Sequence, residues 1–186
     1  LGLIFTKAST RTRASFQAAM ARLGGQTMDL NPQLTQLGRG EPLQDTARVL
    51  SRYCDVLAVR TFEQEELAGY AHWASIPVIN ALTDLEHPCQ ALADFLTVKE
   101  VFGDLKDKTL AYVGDGNNVA HSLILCGALL GVSVTVGSPK GFEPLKSIEE
   151  KALSLAKGVS TITVTNDPLE AVKDAQAVYT DVWASM

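Results

Sequence analysis

Within five residues, Ser9-Thr10-Arg11-Thr12-Arg13 bring together three hydroxyls and two guanidinium groups. Guanidinium forks match phosphate and carboxylate oxygens and stay charged at any working pH. The segment lies between an apolar run, Leu1–Phe5, and a helical pattern that starts at about Arg11. A strand therefore ends here, a turn follows and a helix begins. The first N–H groups of a helix have no intrahelical partner, and the macrodipole is positive at that end. Serine and threonine can cap such an end and also donate hydroxyls outward. The combination reads as an anion site, most naturally for a phosphate. The plainer alternative is an ordinary cap with two solvated arginines, but two consecutive hydroxyl–arginine pairs exceed what capping requires.

Further along, Arg60 ends the apolar run Asp55-Val56-Leu57-Ala58-Val59-Arg60. Ligands of open α/β sheets bind beyond the carboxyl ends of strands, so Arg60 is a candidate for the same cleft as Arg11. His87-Pro88-Cys89-Gln90 opens a helical pattern, with proline suited to the first helical position and His87 at the cap. Gln90 lies one turn on, so an imidazole and an amide at a positive helix end can donate to a carbonyl oxygen that gains negative charge. Gly114-Asp115-Gly116-Asn117-Asn118 joins a strand to a helix but lacks the third glycine of the dinucleotide fingerprint, where Val119 stands. A tight turn presenting an asparagine is the reading left. Asp181 ends the last strand, close to Ser185-Met186, and its carboxylate suits an ammonium group.

Apolar β-rich runs alternate with helical patterns throughout. The strands expected are Leu1–Phe5, Thr27–Leu30, Val56–Arg60, Pro77–Asn80, Thr109–Gly114, Ser133–Gly137, Thr161–Thr165 and Ala177–Asp181. The helices expected are Arg11–Leu23, Asp45–Tyr53, Gln64–Ala74, Pro88–Phe102, Asn118–Leu130, Leu145–Ala156 and Pro168–Lys173. Such alternation gives an α/β protein of two lobes, each a mainly parallel sheet flanked by helices. A polar pause at 103–108 sets the expected boundary: residues 1–103 form the first domain, including a linking helix over 87–102, and residues 104–186 the second. Leu92, Phe95, Leu96, Val98 and Phe102 give the linking helix an apolar stripe. Asn31 to Pro42 is the one long irregular stretch. The chain starts in mid-strand at a leucine, so it is expected to be truncated at both ends.

Net charge is −5, which argues against a general nucleic-acid binder. Its distribution says more: residues 1–60 carry a local +4, including all seven arginines, and residues 61–186 a local −9. A basic first third suits a small anionic ligand. Cys54, Cys89 and Cys126 lack CxxC spacing, and His72, His87 and His121 form no metal-binding pattern, so neither a disulfide framework nor a bound metal or other cofactor is expected, and a cytoplasmic location is. No apolar run approaches the roughly 20 residues of a membrane span.

Taken together, the motifs resemble the aspartate/ornithine carbamoyltransferase family, in its ornithine type. Phe5 to Arg13 matches the family's carbamoyl-phosphate signature, and Leu92 and Asp94 follow His87-Pro88-Cys89-Gln90 as they do there. Gly114 to Asn118 with His121-Ser122, and Asp181-Val182-Trp183-Ala184-Ser185-Met186, match the ornithine type, as does Lys7. The resemblance implies a transferase that moves the carbamoyl group of carbamoyl phosphate to the side-chain amine of L-ornithine in arginine biosynthesis, assembled as a homotrimer. It implies that Ser9, Thr10, Arg11 and Thr12 hold the phosphate, with Gln36 completing that site in a neighbouring subunit. Arg60, His87 and Gln90 would surround the carbonyl as the catalytic group, and Asn118, Asp181, Ser185 and Met186 would hold the amino-acid end of ornithine. The family also has a His-Cys-Leu-Pro loop, an arginine and a final helix beyond the last residue here, so this piece alone is expected to be an incomplete enzyme.

Overall fold

A computed structural model describes residues 1–182, and these fall into two compact units that divide after Asp84. The first contains β1 (Gly2–Phe5), α1 (Arg11–Arg22), β2 (Met28–Leu30), α2 (Leu43–Leu50), β3 (Leu57–Arg60), α3 (Gln64–Trp73) and β4 (Val78–Leu82). The irregular stretch before α2 holds two short 3-10 turns, Pro32–Leu34 and Gln36–Arg39. The four strands are parallel, in the order β2-β1-β3-β4. Successive side chains of a strand point to opposite faces. Ile4, Leu57 and Val59 accordingly pack with Ala47, Leu50, Leu67 and Tyr70 of α2 and α3. Leu3, Phe5 and Ala58 pack on the other face with Ala81 and with Phe16 of α1.

The second unit runs from Leu85 and contains α4 (Pro88–Phe102), β5 (Thr109–Val113), α5 (Asn118–Leu130), β6 (Ser133–Gly137), α6 (Lys146–Ala156), β7 (Ile162–Thr165), α7 (Pro168–Val172) and β8 (Ala177–Thr180). Its strands are again all parallel, ordered β7-β6-β5-β8. The core gathers round α5, where Ala120, Leu123 and Ile124 are fully buried against Tyr112, Val134 and Val136. A helix apolar on every side belongs inside a core, and α5 is placed there.

The linking helix packs differently from the sequence expectation. Ala91, Phe95 and Val98 of α4 are buried in the core around α5, while Leu92, Leu96 and Phe102 of the expected stripe are exposed. Helix α4 therefore belongs to the second unit by packing, and the compact division falls at 84/85 where the sequence pattern suggests 103/104.

The strand orders fix where ligands can approach. In the first sheet the chain leaves β1 toward β2 on one side and leaves β3 toward β4 on the other. The second sheet grows from β5 through β6 to β7, then returns to place β8 on the opposite flank of β5. Each sheet thus has one point where its winding reverses, between β1 and β3 and between β5 and β8. Ligands of such sheets bind beyond the strand ends at these points.

Candidate active site

At the first reversal, Ser9 to Thr12 follow β1 and Arg60 ends β3. Strands β1 and β3 pair in parallel with Phe5 opposite Arg60, so both segments leave the sheet side by side. The Arg60 carbonyl accepts from the Thr6 N–H at 2.9 Å and from the Thr6 hydroxyl at 3.2 Å, which locks the β1 turn to the end of β3. Thr10 occupies the N-cap of α1 but makes no side-chain capping bond, and the first turn carries no acidic residue. The open N–H groups and the positive helix end are therefore left to an external anion.

The charges around that end agree. Burial first, and then the positive charge of Arg11, hold the Arg60 guanidinium below its ordinary value. Burial and Arg60 do the same to the Lys7 ammonium, which lies 5.4 Å above the Phe62 ring. No ion pair engages Lys7, Arg11 or Arg60 among the described residues. The Arg60 Nε is buried, with no hydrogen-bond partner among them. Arg60 between two other cations, with an unused buried donor, is an arrangement that suits an anion. Lys7 belongs to this cluster, although the sequence offers it only as a mark of family type.

Arg13 does not. Its guanidinium pairs with both carboxylate oxygens of Asp29 and lies 5.1 Å from the Phe5 ring centroid. The cause is strand register, which sets Asp29 of β2 opposite Leu3 of β1. Of the two arginines in the motif, only Arg11 remains available to a ligand. Gln36 opens the second 3-10 turn, beyond the edge strand β2, with its side chain exposed. Among the described residues no interaction joins it to the Arg11–Arg60 cluster.

The second unit holds His87, Gln90, Asn118 and Asp181. His87 caps α4, with Pro88 in the first helical position. Its backbone N–H donates to the Ser122 hydroxyl at 2.6 Å, which fixes the start of α4 against α5. The Gln90 amide donates from Nε2 to Asp94 Oδ1 at 2.8 Å. The adjacent His121 is pinned on both ring nitrogens: Nδ1 lies 2.9 Å from the Leu85 carbonyl, and Nε2 accepts from the Leu145 N–H at 3.1 Å. These partners require the neutral Nδ1–H tautomer, and burial lowers the proton affinity further. His121 and Ser122 thus place the backbone around His87.

At the second reversal, Asn117 follows β5 and Asp181 follows β8. Asn117 Oδ1 accepts from the Val119 and Ala120 N–H groups at 2.9 and 3.2 Å, capping α5, while its Nδ2 donates to Asp181 Oδ2 at 3.1 Å. Asn118, which the resemblance implies for ornithine, is buried at the first helical position of α5, and its neighbour Asn117 is bonded to Asp181. Gly116 explains the rest of the glycine motif. A Cβ there would lie 2.2 Å from Pro144 N and 2.4 Å from Glu143 C, so the glycine is needed for loop packing. Ser185 and Met186 lie outside the described residues. No group of three metal-ligating side chains and no helix able to cross a membrane occurs among the described residues.

Comparison with known proteins finds relatives along nearly the whole chain. The model of the aspartate/ornithine carbamoyltransferase carbamoyl-P binding domain matches residues 1–100, and that of the Asp/Orn binding domain matches residues 106–186. The ornithine carbamoyltransferase of Parasynechococcus marenigrum (strain WH8102) is 76% identical over all 186 residues, which cover 58% of that protein. Its counterpart from Prochlorococcus marinus (strain MIT 9313) is 74% identical with the same coverage. Among solved structures, ornithine carbamoyltransferase from Pyrococcus furiosus superposes with a TM-score of 0.94 at 50% identity, covering 99% of this chain and 59% of that one. The enzyme from Gloeobacter violaceus gives 0.90 at 55% identity, covering 98% and 61%. The chain thus spans about three-fifths of the length of the relatives it matches.

Proposed function

The chain belongs to the aspartate/ornithine carbamoyltransferase family, and from that premise we propose that the full-length protein is an ornithine carbamoyltransferase, converting carbamoyl phosphate and L-ornithine to L-citrulline and phosphate. The observation that carries this reading is the uncapped start of α1 beside Lys7, Arg11 and Arg60, none of them in an ion pair among the described residues. Ser9, Thr10, Arg11 and Thr12 bind the phosphate, and Gln36 completes the site in a neighbouring subunit of a homotrimer. Arg60, His87 and Gln90 donate to the carbamoyl oxygen. Asn118, Asp181, Ser185 and Met186 hold the amino-acid end of ornithine, with Asp181 facing its ammonium group.

The reaction is direct acyl transfer. The uncharged side-chain amine attacks the carbamoyl carbon and a C–N bond forms as the carbonyl electrons move onto oxygen. Donors preorganised around that oxygen stabilise the charge as it develops. The electrons return, the C–O bond to phosphate breaks, the nitrogen passes its extra proton to the leaving phosphate oxygen, and hydrogen phosphate departs into the cationic site. Carbamoyl phosphate is already activated, so no covalent enzyme intermediate is required. Holding both reactants together removes much of the bimolecular entropy barrier.

Ornithine is favoured as the acceptor because the relatives at 76% and 74% identity are ornithine carbamoyltransferases. We also place the step in arginine biosynthesis and the protein in the cytoplasm, where three cysteines without CxxC spacing fit a reducing environment. The test is full-length protein with labelled carbamoyl phosphate and a panel of acceptors: ornithine, putrescine, N-acetylornithine and aspartate. Citrulline formation with ornithine far ahead of the others is expected. Preference for another acceptor would reassign the substrate, and binding of carbamoyl phosphate without transfer to any of them would remove the enzymatic reading.

A further inference from the structure

Asp94 is a carboxylate that the mechanism above does not use, and it is built into the second unit with some care. It lies one turn after Gln90 on α4 and accepts the Gln90 Nε2–H at 2.8 Å. Its other oxygen, Oδ2, is buried without a formed hydrogen bond among the described residues. Burial raises its proton affinity, while the Gln90 amide and the Tyr179 phenol pull it back down. From the other side, burial and then the charges of Asp94 and Asp181 push the Tyr179 phenol up to about 12. Cys126 of α5 lies near the same carboxylate, and its thiol is pushed up to about 11 by burial and by Asp94.

Two consequences follow from this placement. An ionised carboxylate only accepts hydrogen bonds, so it selects one of the two nearly isosteric orientations of the Gln90 amide. Nitrogen is turned toward Asp94, and the amide keeps its carbonyl oxygen and one N–H for another partner. A carbamoyl group also presents one acceptor and one N–H edge, and recognising both requires the amide to be held one way round. Asp94 also lies beside Tyr179, whose phenol lowers its proton affinity. Tyr179 lies on β8, two residues before Asp181, and stacks on Tyr112 with ring centroids 6.0 Å apart. The Tyr112 hydroxyl donates to the Asp115 carbonyl at 2.8 Å and lies 3.4 Å from Asn117 Oδ1, and Asn117 holds Asp181.

We propose that Asp94 is a positioning residue for carbamoyl transfer: it sets the orientation of the Gln90 amide, beside Tyr179 of the strand that precedes Asp181. The proposal rests on the carbamoyltransferase reading. Its test uses the full-length protein in a double-mutant cycle, with kcat and KM measured separately for carbamoyl phosphate and for ornithine. Asp94→Asn keeps size and shape but can turn an N–H toward Gln90, and should lower kcat/KM for carbamoyl phosphate about 10- to 100-fold. In a Gln90→Ala background the same change should have almost no further effect, because the amide it orients is gone. Tyr179→Phe should act in the same direction by less, and its effect should likewise vanish in the Gln90→Ala background. It supplies the readout should Asp94→Asn fail to fold. A loss that is merely structural would multiply with that of Gln90→Ala, and such additivity in free energy overturns the proposal, as does unchanged kinetics in Asp94→Asn. A wild-type protein that makes no citrulline would instead overturn the carbamoyltransferase reading, and this proposal with it.

Discussion

The side chain of Asn117 bonds in two directions, accepting the first free N–H groups of α5 on Oδ1 and donating from Nδ2 to Asp181 at 3.1 Å. One residue thereby fixes a helix end and a candidate ligand-binding carboxylate across 64 positions of sequence. Asn117→Ala should lose both, with destabilisation of about 1 kcal/mol, typical of a lost N-cap, and a raised KM for ornithine. Asn117→Asp separates the effects. It keeps the cap acceptor but sets a second carboxylate against Asp181, so urea denaturation should show little change while the KM for ornithine rises. An unchanged KM in both variants would take Asp181 out of acceptor binding.

Arg11 and Arg13 lie two residues apart and should behave oppositely. Arg11→Ala is expected to weaken carbamoyl phosphate binding at least 10-fold, because Arg11 has no ion-pair partner among the described residues. Arg13→Ala should leave that affinity alone and cost at most about 1 kcal/mol of stability, since its partner Asp29 is partly exposed and such pairs contribute little. Calorimetric titration of both variants decides the matter.

Arg60→Ala should reduce turnover by about 10²–10³, the usual effect of removing one oxyanion donor. Near-normal turnover in the full-length protein would exclude Arg60 from the mechanism. Inorganic phosphate should also raise the melting temperature of the wild type, because it relieves repulsion among Lys7, Arg11 and Arg60. At a concentration of 100 Kd the gain is about 2.7 kcal/mol. The shift should shrink in Arg60→Ala and in Arg11→Ala.

His121 predicts a pH dependence. Its folded-state proton affinity is lowered, chiefly by burial, from the ordinary value of 6.5. Below pH 6.5 the unfolded chain binds a proton that the folded protein excludes, so this group's contribution to stability is complete above 6.5 and falls as pH drops toward the lowered folded value. Urea midpoints between pH 7.5 and 5 should decline in the wild type, and less steeply in His121→Gln. That variant should be less stable at pH 7.5, because a glutamine cannot reproduce both the Leu85 and the Leu145 bonds at the imidazole's spacing.

Gly116→Ala should cost about 1–3 kcal/mol, the range for overpacking. The added methyl meets backbone of residues 142–144, which no rotamer change can clear. Equal stability of wild type and variant, measured by urea denaturation, would show that the 142–144 loop yields freely.

Much of this was readable from residue order alone. Strands of a parallel sheet are covered on both faces, so β1 and β3 read as mainly apolar runs, and the all-round apolarity of α5 marked it as buried. The local parts of the site were equally visible, since the hydroxyl–arginine turn and the His-Pro helix start each fit within five residues. What escaped was pairing over distance. Arg13 looks like Arg11 until β2 brings Asp29 beside it, and Asn117 looks like a spacer until β8 brings Asp181 within reach. The stripe on α4 failed for a related reason: helical periodicity marks Leu92 and Phe95 alike, and only packing on α5 decides which of them is covered.

The reversal of winding in each sheet has a consequence for redesign. The gap beyond β1 and β3, and that beyond β5 and β8, arise from the route of the backbone, so they persist whichever side chains line them. Ligand preference can therefore be rewritten in the turns after those four strands, while the apolar runs beneath continue to dictate how the polypeptide assembles.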